Sequence, residues 1–127
     1  MTKILIVGGG NIGVRHVRCF QATGRAEVSL GELSEERGGE ILRLYGVSLH
    51  REFASALGGR PDGVVICTPA PTHVARAGEA LSAGCHVLIE KPLSTQMEGT
   101  EELASQCCVL ISPACNRLSR ARGWIYE

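Results

Sequence analysis

Net charge is the first thing this sequence lacks: thirteen lysines and arginines are matched by thirteen aspartates and glutamates. Neither a basic footprint for nucleic acid nor a polybasic membrane patch is expected, and partners must be chosen locally. Long hydrophobic runs are missing as well. No apolar stretch approaches the roughly 20 residues a spanning helix needs. Met1-Thr2-Lys3 opens directly into an apolar run that leaves no room for a signal peptide, so the expected location is the cytoplasm. Paired ligand spacings are absent too. The six cysteines (Cys19, Cys67, Cys85, Cys107, Cys108, Cys115) contain no C-x-x-C, and the four histidines (His16, His50, His73, His86) contain no H-x-x-x-H. Buried free thiols and no metal site are expected, with the adjacent Cys107-Cys108 pair as the one candidate for oxidants or soft metals. There is no internal repeat. At 127 residues the chain has the length of one domain.

What is present is organised around Lys3-Ile4-Leu5-Ile6-Val7-Gly8-Gly9-Gly10-Asn11-Ile12-Gly13, an apolar run feeding glycines at G-x-G-x-x-G spacing. The pattern reads as a dinucleotide-binding turn, with a flexible loop as the bland alternative. Gly8 permits a tight turn after a buried strand, Gly10 lets backbone N–H groups approach a pyrophosphate, and Gly13 lets the next helix pack closely. A phosphate then sits at a helix N-terminus, where unpaired N–H groups and the dipole favour negative charge.

Downstream, helical and strand patterns alternate, which predicts βαβ units and a mostly parallel, doubly wound Rossmann sheet of six strands. Ile12, His16, Val17 and Phe20 keep helical spacing up to Ala22-Thr23-Gly24, and a second strand runs from Ala26 to Leu30. Glu32 follows, nineteen residues after Gly13. An acid near that offset accepts hydrogen bonds from the adenosine ribose and repels a 2′-phosphate, which favours NAD over NADP. Its alternative is a solvated strand-end carboxylate, and Arg37 nearby keeps NADP open. Ser34 caps the next helix, with Ile41, Leu42, Leu44 and Tyr45 as its apolar face and Gly46 as its stop. Val47-Ser48-Leu49 is an edge strand, Arg51 to Leu57 a short helix and Arg60 to Gly63 a turn. Val64 to Cys67 is a central strand ending in Thr68-Pro69-Ala70-Pro71-Thr72-His73. Val74, Ala77, Ala80 and Leu81 form a helix closed by Gly84, and Cys85 to Ile89 the fifth strand. A helix from Thr95 to Gln106, with Met97, Leu103 and Ala104 inward, precedes a sixth strand from Cys108 to Ser112.

Ligands in such a sheet lie beyond the carboxyl ends of the strands, so the loop opened by Thr68 and Pro69 shares a crevice with the glycine turn. Glu90-Lys91-Pro92 ends the fifth strand on the same side. Lys91 can protonate or hydrogen-bond a substrate oxygen during hydride transfer, with Glu90 modulating its charge; a surface ion pair is the alternative. His73 either contacts cofactor or substrate or caps its helix.

Together, Gly8 to Gly13, Arg15-His16, Thr68 to His73, and Gly84 to Leu93 resemble the N-terminal domain of the Gfo/Idh/MocA family of NAD(P)-dependent oxidoreductases. The resemblance implies a Rossmann domain with Lys91 assisting catalysis, a Lys91-Pro92 peptide that is often cis, and sugar, inositol or polyol substrates. It implies residues 1–115 as the dinucleotide domain and 116–127 as a tail, where Asn116-Arg117 starts the crossover to a second α/β domain. The substrate pocket and acid/base histidine of that second domain have no counterpart here. Glu32 stands where an aspartate is more usual. Two other readings stay open, a stand-alone NAD-binding module and a shortened inactive relative. Trp124, Ile125 and Tyr126 are candidates to cover apolar surface in a homo-oligomer or against a partner chain.

Overall fold

β1, Thr2–Val7, is the strand on which the sheet is built, because Leu5, Ile6 and Val7 are buried with side chains on alternating faces. The computed structural model describes residues 1–92, 94–105 and 109–111. After β1 come α1 (Asn11–Ala22), β2 (Ala26–Gly31), α2 (Glu35–Tyr45), β3 (Ser48–His50), α3 (Phe53–Gly58) and β4 (Gly63–Ile66). A 3₁₀ turn at Ala70–Thr72 leads to α4 (His73–Ser82), then β5 (His86–Ile89), α5 (Thr100–Ser105) and β6 (Val109–Ile111). The sheet order is β3-β2-β1-β4-β5-β6, and every pairing is parallel. This is the doubly wound Rossmann order, with its reversal between β1 and β4.

One core joins Leu5, Val7, Val64, Ile66, Val87 and Ile89 of the sheet to Phe53 and Ala56 of α3, Ala77 and Ala80 of α4, and Leu103 of α5. The opposite face packs Ile6, Val28, Leu30 and Val65 against Val17 of α1 and Ile41 of α2. Burial on both faces is what makes β1 and β4 continuously apolar in sequence. Each fully buried Leu or Ile contributes about 1.5–3 kcal/mol relative to exposure.

Several boundaries differ from the expectation. The last helix begins at Thr100 rather than Thr95. Gly99 takes φ +78°, a left-handed conformation that interrupts a helix, and Met97 is exposed. The Thr100 hydroxyl and amide both donate to the Met97 carbonyl, at 2.6 and 3.2 Å, closing the turn before the helix. In α2, Leu42 and Leu44 face outward. Its inward row is Gly38 and Ile41, with Tyr45 packed beside them, and a Cβ on Gly38 would press on Leu49. Helix α3 starts at Phe53 rather than Arg51, and Cys19 is exposed while Cys85 is buried. Leu93, Gln106 to Cys108, Cys115, Asn116-Arg117 and Trp124 to Tyr126 lie outside the described residues, as do the expected strand end at Ser112 and the side chain of Ala104.

Candidate functional site

The glycine turn emerges from β1 where the strand order reverses. Gly8 donates its amide to the Gly31 carbonyl at 2.8 Å and takes φ +100°, and a Cβ there would stand 2.8 Å from the Cys67 carbonyl oxygen. No other residue type fits that turn without moving the Cys67-Thr68 backbone that follows β4. A Cβ on Gly13 would collide with the Gly8 carbonyl oxygen, so α1 approaches β1 at backbone distance. Gly10 is different: nothing lies within 4 Å of its Cβ position. Gly10 is also the N-cap of α1, and no side chain caps that helix. Asn11 and Ile12, the first two helical residues, are exposed. An open N-terminus of this kind offers unpaired N–H groups and the positive end of the helix dipole to an anion.

Gly9, which the G-x-G-x-x-G pattern leaves unassigned, is the best-held residue of the turn. Its amide donates to Glu32 Oε1 at 3.0 Å, and its carbonyl accepts from Arg37 Nε at 2.7 Å. Its Cβ position lies 2.8 Å from Ile41 Cδ1 and 3.0 Å from Glu32 Oε1, so a side chain would displace the acid. Glu32 Oε2 accepts the Ser34 amide at 3.0 Å, and the Ser34 hydroxyl in turn accepts the Arg37 amide as the α2 cap. Arg37 Nη1 completes the set by donating to Glu40 Oε2 at 2.9 Å. Glu32 thus stands at the end of β2 against the glycine turn, where its sequence offset predicts it.

On the other side of the reversal, the backbone ladder continues past β4 and β5: Cys67 donates to the Val7 carbonyl at 2.8 Å and Glu90 to the Ile66 carbonyl at 3.0 Å. These bonds align the ends of β1, β4 and β5, bringing Thr68, Pro69, Glu90 and Lys91 to the same edge of the sheet as the glycine turn. Thr68 and Thr72 share a hydroxyl hydrogen bond of 2.6 Å, and the Lys91-Pro92 peptide is cis. Lys91 is exposed. Glu90, its side chain about four-fifths buried, pairs with His16 Nε2 of α1 at 2.6 Å. Beneath the turn, burial and then the negative charge of Glu90 push the Cys67 thiol up to about 12.

His73, expected from the sequence either to contact cofactor or substrate or to cap its helix, turns its ring toward two backbone carbonyls. It is 1% exposed, with Nδ1 at 2.8 Å from the Pro92 carbonyl and Nε2 at 2.6 Å from the Thr68 carbonyl. Both ring nitrogens face protein carbonyls, so the ring ties the loop after β4 to the loop after β5 and offers no free edge to a ligand. Sequence reasoning missed this because helical spacing cannot tell which way a residue at a helix start points. The partnership of His16 with Glu90 was equally hidden, since 74 residues separate the two. Among the described residues, no group of three or more His, Cys, Asp or Glu could hold a metal, and no helix is long and apolar enough to cross a membrane.

Known proteins resemble this chain in sequence and fold. Residues 2–108 match the GFO_IDH_MocA profile, described as an oxidoreductase family with an NAD-binding Rossmann fold. A UDP-N-acetylglucosamine 3-dehydrogenase of Acidithiobacillus ferrooxidans is 37% identical over 97 residues, covering 74% of this chain and 31% of that protein. An inositol 2-dehydrogenase of Rhodococcus erythropolis is 34% identical over 102 residues, covering 77% and 30%. The crystal structure of the WlbA dehydrogenase from Bordetella pertussis, in complex with NADH and UDP-GlcNAcA, superposes with a TM-score of 0.80 at 26% identity, covering 88% of this chain and 37% of that one. The chain therefore spans about a third of the length of the relatives it matches.

Proposed function

Because the chain belongs to the Gfo/Idh/MocA oxidoreductase family, we propose that it binds NAD across the β1–β4 crevice and serves as the cofactor-binding part of a dehydrogenase. The proposed reaction moves hydride between nicotinamide and a sugar-, inositol- or polyol-like alcohol or ketone. The observation that carries the reading is Glu32, held 3.0 Å from the Gly9 amide beside the open Gly10 position. Each carboxylate oxygen has two acceptor sites. Glu32 uses one on each oxygen for the Gly9 and Ser34 amides, leaving the others for ribose hydroxyls. Its negative charge opposes a 2′-phosphate, so NAD is preferred to NADP.

The remaining roles follow from position. Asn11, Ile12 and Gly13, in the uncapped first turn of α1, receive the pyrophosphate, with Gly8 forming the tight turn against Cys67 and Gly10 leaving open space for the ligand. Thr68 and Pro69 border the crevice opposite the turn. The nicotinamide, when bound, accepts or supplies the hydride. Lys91 donates a proton or hydrogen bond to the substrate oxygen, and Glu90, fixed by His16, holds the adjoining backbone. His73 supports both loops from behind rather than touching the cofactor.

The substrate class is supported by the relatives named for inositol and UDP-N-acetylglucosamine. A second domain, in the same polypeptide or a partner chain, would supply the substrate pocket. Reduced Cys67 and Cys85 suit a cytoplasmic location. Titration of the chain with NADH, followed by nicotinamide fluorescence, tests the assignment: saturable enhancement weakened by Glu32→Ala is expected, and an unchanged spectrum at millimolar NADH would refute it.

A further inference from the structure

We propose that Arg37 is a positioning residue for the pyrophosphate turn, acting through Gly9 rather than on the cofactor itself. The inference rests on the NAD-site reading above and deepens it. Glu32 and Arg37 hold opposite ends of one residue: the acid accepts the Gly9 amide at 3.0 Å, and the guanidinium donates to the Gly9 carbonyl at 2.7 Å. Gly9 carries no side chain and has no room for one, so these two bonds decide how it is oriented. Its neighbour Gly10 is the N-cap of α1, so the direction of the first helical N–H groups follows from the way Gly9 is held.

The guanidinium is itself anchored. Arg37 Nη1 donates to Glu40 Oε2 at 2.9 Å, while the Arg37 amide is fixed by the Ser34 cap at 3.2 Å. Nε and Nη1 are thus both turned to acceptors of the protein itself, the Gly9 carbonyl and the Glu40 carboxylate. Arginine suits the task because its planar fork serves two acceptors in fixed directions, and an ammonium does not. The spacing Glu32, Ser34, Arg37, Glu40 is therefore one device. The residues that face the ribose also set the turn that faces the pyrophosphate.

Adenosine, ADP, 2′,5′-ADP and NAD titrated into the intact chain separate the two ends of the site. Arg37→Ala is expected to weaken ADP and NAD about tenfold, or about 1.4 kcal/mol, while adenosine stays within about twofold. Arg37→Lys should recover less than half of that loss. Glu40→Ala, which leaves the arginine in place but unanchored, should shift ADP in the same direction by a smaller factor and serves if Arg37→Ala fails to fold. Equal weakening of adenosine and ADP, full recovery by Arg37→Lys, or a loss confined to 2′,5′-ADP would each overturn the inference. Failure of the unsubstituted chain to bind NAD would overturn the cofactor reading and this inference with it. Binding of NAD with no effect of either substitution on ADP would overturn this inference alone.

Discussion

His16 and Glu90 meet at 2.6 Å, joining the helix that follows the glycine turn to the strand end that carries Lys91. Both side chains are about four-fifths buried. Removing one partner leaves the other largely desolvated without its hydrogen bond, a cost of about 1–3 kcal/mol. His16→Ala is expected to lower unfolding stability in urea by that amount, and His16→Gln, which keeps a donor on the side chain, by less. A His16→Ala change within about 0.5 kcal/mol of zero would show that the contact does not couple the two elements.

Two glycines of the turn should respond in opposite ways. Gly13→Ala drives a Cβ into the Gly8 carbonyl, a backbone atom that cannot yield without displacing α1. It is expected to cost about 1–3 kcal/mol of stability and to abolish NAD binding. Gly10→Ala enters open space, so its melting temperature should stay near that of the unsubstituted chain while NAD binding weakens. Thermal unfolding with and without NAD distinguishes the two. Equal destabilisation by both would contradict the division between a packing glycine and a ligand-facing one.

Glu32→Ala removes the acceptor for the Gly9 amide as well as the ribose acceptor. NAD is expected to weaken about tenfold or more, and NADP by a smaller factor because a repulsive charge is lost with the hydrogen bonds. Competition against NADH fluorescence reads both constants. An equal loss for NAD and NADP would contradict the ribose role.

The Cys67 thiol, raised to about 12 by burial and then by Glu90, should be almost entirely protonated at pH 8. Brief iodoacetamide treatment of the folded chain, read by mass spectrometry of peptides, should label exposed Cys19 and spare Cys67, and urea should remove the difference. The sign for stability follows from the raised folded value. The stabilisation that favours the thiol form is complete below its ordinary value of 9.0 and is lost as pH rises from there towards about 12. Labelling of Cys67 as fast as Cys19 would contradict this environment.

The parts of the molecule legible in sequence are those that local pattern controls. Continuous apolar runs marked β1 and β4 because both are covered on two faces, and Gly46 marked the end of α2, where it takes φ +65°. Glu32 was legible because the β2 end lies at a fixed offset from the turn. What was not legible depends on packing direction. Leu42 and Leu44 share the apolar character of Ile41, but only the docking of α2 on Leu49 decides which row turns inward. His73 and His16 were visible as histidines near the site, yet their partners, the Thr68 and Pro92 carbonyls and the Glu90 carboxylate, come from other elements. Gly9 was hidden for a different reason: its role lies wholly in backbone groups, which every residue except proline carries.

Calorimetric titration of this chain with NAD and, separately, NADP tests the central claim most directly. Saturable heat for NAD, with weaker binding of NADP, is the result predicted from the open Gly10 position and the Glu32 carboxylate. No heat with NAD or NADH at millimolar concentration, from a chain shown to be folded, would contradict it.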